Sequence, residues 1–128
     1  MRQPRIPKNL PQPNRIRPDF RRSASHLDFI RTLPCIACGR FGAVPAHVRL
    51  SKDGGTGFKP GDRYTVPLCS RCHGQQHQVG EVRFWGELGI DPLDYSTQLW
   101  RMSGDASAGF RTINRAHQAI ALKRRQNG

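Results

Sequence analysis

Val66-Pro67-Leu68-Cys69-Ser70-Arg71-Cys72-His73-Gly74-Gln75-Gln76-His77 decides the fold. It runs from a short apolar segment through a tight Cys-x2-Cys knuckle into two histidines four residues apart. A second knuckle, Cys35-Ile36-Ala37-Cys38-Gly39, lies thirty residues upstream. Each knuckle presents two thiolates on one side of a turn, and two such pairs complete a tetrahedron around a structural zinc. The gap is wider than a minimal zinc ribbon needs, so it must hold further structure. Ala43–Val48 and Tyr64–Leu68 are the strand candidates inside it. Between them, residues 51–61 contain four glycines, which marks a loop.

Cys69-Ser70-Arg71-Cys72-His73 also fits the attachment pattern of a c-type haem. That chemistry needs export, and the N-terminal stretch has charge but no apolar h-region. Haem would also leave Cys35 and Cys38 without a role. The expectation is a cytoplasmic chain whose four cysteines are metal ligands rather than disulfides. No apolar run approaches the length of a membrane span.

His73 and His77, four apart, share one face of a helix that starts at the second knuckle, a spacing that offers two imidazoles to one metal. His47 ends the first strand, and a clamp joining the knuckles brings that strand against the helix, pointing His47 at the metal. His26 and His117 have no such context and read as ordinary residues.

Ala46-His47, the glycine-rich loop and Val66-Pro67-Leu68-Cys69-x2-Cys72-His73-x3-His77 resemble an HNH endonuclease of the ββα-metal fold with a four-cysteine zinc. The resemblance covers about residues 26–90. Lys59-Pro60-Gly61-Asp62 and the segment from Gly80-Glu81 to Ile90-Asp91 look like the phage recombination-enhancement (Ref-like) nucleases. The implied fold is α+β, a ββα-metal core clamped by zinc and flanked by helices. The implied activity is metal-dependent hydrolysis of DNA phosphodiesters in phage or prophage recombination, with a recombinase filament on DNA as a possible partner. In that scheme His47 is the general base, and His73 and His77 hold a catalytic Mg, Mn or Zn ion. Imidazole suits a base because its ordinary pKa lies near neutrality. Two positions depart from the pattern: many relatives carry an acid where Ala46 stands, and no Asn lies between His47 and His73. Asp62 is the substitute, either as third metal ligand or by orienting His47.

Charge extends the argument outward. The 128 residues carry 21 Lys and Arg against 9 Asp and Glu, a net charge of +12. Most of it sits at the ends: residues 1–25 and 107–128 are strongly basic around a nearly neutral body. Arms that neutralise phosphates release counterions, so the pattern points to DNA. The candidate contacts are Arg2, Arg5, Lys8, Arg15, Arg17, Arg21 and Arg22 in the first arm, and Lys123, Arg124 and Arg125 in the last. Arg49, Lys59, Arg63 and Arg71 lie around the proposed centre in sequence. A zinc-bearing nucleic-acid-binding protein without catalysis is the competing reading.

The organisation expected is a disordered Pro/Arg-rich arm (1–24), a nuclease domain (25–106) and a basic C-terminal helix (107–128). The first helix should start near Ser25, with Asp28 as its capping-box partner, and end at Pro34. Phe84 and Trp85 belong to a short helix ending at Gly89 and read as core. Asp91-Pro92 opens the next helix, with Leu93, Leu99 and Trp100 inward. A last helix, about 108–124, sets Phe110, Ile113, Ala116, Ile120 and Ala121 at helical spacing.

Overall fold

A computed structural model describes residues 22–50 and 61–127. Arg2, Arg5, Lys8, Arg15, Arg17, Arg21 and Lys59, and with them most of the expected disordered arm, lie outside the described residues. The described residues form an α+β fold of five helices and one two-stranded sheet.

Strands β1 (Val44–His47) and β2 (Thr65–Leu68) pair antiparallel, with Pro45 opposite Pro67 and His47 opposite Thr65. Two facing prolines are tolerable for a specific reason. Val48 N–H donates to the Tyr64 carbonyl at 2.7 Å, which makes that pair a hydrogen-bonded one. Alternation then makes 45 opposite 67 a non-hydrogen-bonded pair, where the ladder needs no donor. The Pro67 carbonyl faces outward and accepts from Ile36 N–H at 2.8 Å, so the first knuckle covers the free edge of β2. The same alternation buries Ala46 and Val48 on one side of β1 and turns Pro45 and His47 to the other.

Helix α1 (Ala24–Arg31) packs on both strands. Its N-cap is Ser23, whose hydroxyl accepts from His26 N–H, not the expected Ser25. Asp28 pairs instead with Arg31 on the exposed face, and Thr32 rather than Pro34 closes the helix. Helix α2 (Ser70–Val79) follows β2 directly, α3 (Glu81–Leu88) ends at Gly89, and α4 (Pro92–Arg101) starts at its Asp91 cap. Gly89 takes a left-handed φ of 80°, and a side chain there would run into Lys123. Helix α5 (Ala106–Asn127) extends past the expected limits at both ends. It meets α1 at Gly109, where a Cβ would fall 2.8 Å from Leu33 and 2.9 Å from Phe29.

The core gathers Ile30, Leu33, Ile36, Val66, Leu68, Leu99 and Ile113, all essentially sealed from solvent. Phe84 and Trp85 are buried as expected, whereas Leu93 and Trp100 are only half-buried. Phe110 departs from the expected inward stripe: it is exposed and packs against Phe41. The tight approach at Gly109 gives the inward face to Ile113, Ala116 and Ile120 and turns position 110 out.

His26 is also not ordinary. It is buried beneath α4, edge-on to Trp100, and its Nδ1 shares a 2.7 Å hydrogen bond with the Ser103 hydroxyl. Its Nε2 is buried without a partner. Burial pushes the His26 pKa down, against a smaller upward pull from Asp62. Above the unfolded-state value near 6.5 the ring is neutral in both states, and its packing contributes fully. As pH falls below that value the unfolded chain binds a proton that the native chain refuses, so stability drops. Denaturant midpoints taken from pH 8 to 5.5 should fall more steeply for the wild type than for His26→Gln. The difference is bounded by about 1.4 kcal/mol per pH unit for one proton.

Candidate functional site

Two arrangements flank α2. At its N-terminus the four cysteines converge: the Sγ atoms of Cys35, Cys38, Cys69 and Cys72 all lie within 4.8 Å of one another. Cys38 and Cys69 are 3.6 Å apart, far beyond a disulfide bond of about 2.05 Å. A tetrahedral ion with Zn–S bonds of about 2.3 Å sets its sulfurs about 3.8 Å apart. The cluster therefore fits a structural metal such as zinc, with little movement. Its chemistry agrees. Burial pushes the Cys35 and Cys72 thiols up, while the Cys69 thiol, against its own desolvation, is drawn down to about 7 by the Cys72 N–H and neighbouring thiols. Packed, buried thiols without a counter-charge resist ionisation, and a divalent cation supplies that charge.

The cluster is wired into the fold. Cys69 is the N-cap of α2, its sulfur accepting from Cys72 N–H. Cys35 N–H donates to the Arg40 carbonyl and Gly39 N–H to the Cys35 carbonyl, closing the first knuckle. His117 of α5 donates from Nε2 to the same Cys35 carbonyl at 2.9 Å. That contact spans 82 residues, which is why nothing in the local sequence marked His117.

Along the other face of α2 lies a cavity of about 330 Å³. β1 and the residues after it supply Pro45, His47 and Arg49; α2 and the start of α3 supply His73, Gln76, His77, Gly80 and Glu81. His73 and His77 sit one helical turn apart, ring centroids 4.7 Å from each other. Burial, then the proximity of His77, pushes the His73 pKa down, which keeps its nitrogen lone pair free for a metal.

His47 is held by Asp62. Its Nε2 donates to Asp62 Oδ1 at 2.9 Å, and Asp62 Oδ2 accepts from Ser23 N–H at 2.8 Å. The turn after Gly61 sets this up: Tyr64 N–H bonds the Gly61 carbonyl, and the Thr65 hydroxyl bonds the Asp62 carbonyl. Both carboxylate oxygens are thus engaged, and the side chain is mostly covered. Of the two places open to Asp62, the geometry has it beside His47. Among the described residues only the four cysteines bring three or more metal donors together, and Asp62 is not grouped with His73 and His77. The bond also fixes the tautomer. With Nε2 protonated toward the carboxylate, Nδ1 is the basic nitrogen.

Other expected contacts are placed differently. Arg49 lines the cavity and its N–H donates to Glu81, a residue quoted for the family resemblance but given no role at the site. Arg63 lies over the Tyr64 ring, 5.1 Å from the centroid. Arg71 does not border the histidines, because position 71 falls on the opposite side of α2; it lines a separate groove with Arg124 and Arg125. Lys123 donates to the Gly86 carbonyl in the last turn of α3, a capping contact. Arg22 is exposed. No helix among the described residues is long and apolar enough to cross a membrane.

Fold and site together define a small α+β protein with a four-cysteine cluster able to hold a metal and an Asp–His pair beside a two-histidine cavity. The chain belongs to DUF968, a family of proteins of unknown function, whose family model matches residues 6–95. The match takes in all four cysteines together with His47, Asp62, His73 and His77, and stops within α4, before α5. No curated protein and no solved structure matches the chain.

Proposed function

We propose that this protein is a metal-dependent endonuclease of the HNH type that hydrolyses DNA phosphodiesters. The observation that carries the reading is the His47–Asp62 pair opening on the cavity that His73 and His77 line. The order of parts supports it: an antiparallel ribbon followed at once by a helix, with one histidine on the ribbon and two on the helix.

His47 Nδ1 takes a proton from a water in the cavity, and Asp62 stabilises the imidazolium that results. The water oxygen bonds to phosphorus as the P–O3′ bond breaks, and the 3′ oxygen leaves and takes a proton from solvent. The products carry 5′-phosphate and 3′-hydroxyl ends. His73 and His77 would hold a divalent ion, which would supply the Lewis acid that this charge development needs. Imidazole donors suit zinc and similar borderline ions better than the hard Mg ion. Arg49, on the rim of the same cavity, is placed to hold the scissile strand by its phosphate. The basic composition supports DNA as the substrate.

The test is the conversion of supercoiled plasmid to open circles by the purified zinc-loaded chain, with and without added Mg, Mn or Zn. Metal-dependent nicking that is lost in His73→Ala and His77→Ala is the expected result. A metal-loaded, folded chain that binds DNA but leaves the plasmid intact under all these conditions would favour the non-catalytic reading.

A further inference from the structure

On the side of α2 away from the histidines, the first knuckle and α5 enclose a groove of about 580 Å³. Arg71, Arg124 and Arg125 line it together with Cys38, His117 and the apolar Ala37, Ile120 and Ala121, and no carboxylate does. The groove continues along α5. Phe110, His117, Ala121 and Arg124 recur at intervals of seven, four and three, so they form one stripe of the helix. The knuckle runs beside that stripe: Gly39 lies against the His117 ring, and Phe41 packs on Phe110 with centroids 6.3 Å apart. Phe41 is 66% exposed and Phe110 41%, although each is large enough to have been used in the core. From Phe110 to Arg124 the helix rises about 21 Å, room for several nucleotides.

We propose that this surface is a second nucleic-acid site, which holds a single strand with its phosphates on Arg71, Arg124 and Arg125 and a base stacked on the Phe41–Phe110 pair. Arginines along a track with exposed aromatic rings are what a strand with unpaired bases requires, since every base has a face to stack. A duplex hides those faces and would have no use for the phenylalanines. The groove lies across α2 from the histidine cavity, so a strand held here leaves the cavity open to its own substrate. The proposal takes its polyanion from the DNA reading above and stands apart from the catalytic claim.

The experiment measures anisotropy of a labelled oligo-dT 20-mer bound by the full metal-loaded chain carrying His47→Ala, so that cleavage plays no part. Arg71→Gln/Arg124→Gln/Arg125→Gln should weaken binding at least tenfold. It should also flatten the slope of log affinity against log salt by about 2, the share of three single-strand phosphates. Phe41→Ala/Phe110→Ala should weaken binding about fivefold or more with the slope unchanged, the size of one lost stacking contact. An equal loss from Arg83→Gln/Arg101→Gln/Arg111→Gln, which lie elsewhere on the helices, would reduce the effect to bulk charge and overturn the proposal. So would loss of bound metal in the groove triple, which would make the arginines counter-ions of the thiolates. No effect of the phenylalanine pair, or a duplex that displaces oligo-dT regardless of it, would also overturn the single-strand assignment. Nicking failure with these binding results intact would strike only the catalytic reading.

Discussion

His47→Ala is expected to abolish plasmid nicking while leaving DNA affinity and thermal stability near wild type. General base catalysis contributes about 10²–10⁴-fold, and no second imidazole of the cavity is held by a carboxylate among the described residues. His47 is half-buried on the outward side of β1, so its truncation leaves Ala46 and Val48 packed as before. Asp62→Asn makes the sharper companion. An amide can present either its N–H or its oxygen to Nε2 and frees the ring to take the other tautomer, with its proton on Nδ1. In a well-studied triad, where an aspartate likewise orients a histidine, the same change costs about 10⁴-fold with the geometry intact. A comparable fall in the nicking rate is expected here, without loss of DNA binding. Wild-type nicking by His47→Ala would remove His47 from the base role, and by Asp62→Asn would remove Asp62 from orienting it.

Cys69→Ser should unfold the body. Cys69 is a member of the four-sulfur cluster, caps α2 and follows directly from the fully buried β2. In small domains metal binding and folding are one equilibrium, and a structural zinc site is worth about 10–16 kcal/mol at neutral pH. That is comparable to the whole stability expected of a domain this size. Serine can still cap the helix, so any collapse reports the lost ligand and not the lost cap. Circular dichroism should show a broad, non-cooperative melt, and chelator should do the same to the wild type. A cooperative melt at the wild-type temperature would show that the cluster does not hold the fold. Because protons compete with metal for thiolates, the wild type should also release its metal as pH falls.

The sequence was most readable where one residue type has few uses. Two Cys-x2-Cys pairs, Gly89 as a helix stop and Asp91-Pro92 as a helix start were all legible, because each follows from local backbone or ligand chemistry. The turn of α2 that carries His73 and His77 was legible for the same reason. What escaped was set by contacts distant in sequence. His117 is ordinary until α5 lies across the first knuckle, and Phe110 is apolar at core spacing until Gly109 fixes which side of α5 meets α1. Arg71 was placed near the histidines by sequence proximity, yet two residues along a helix turn about 200°, to the opposite face. Ser23 and Ser25 compete for one cap on equal chemical terms, and the carboxylate of Asp62 on Ser23 N–H marks the residue that won.

The N-cap of α2 is a sulfur of the cysteine cluster, and the same helix carries both cavity histidines one and two turns later. A metal taken up by the cluster would therefore order the cavity in the same event. A newly made chain cannot close the cluster before Cys72 has been added, and the cavity-lining turn of α2 follows immediately. Apo chains should lack an ordered cavity altogether, so the amount of competent protein in a cell would follow its zinc supply rather than the number of chains made.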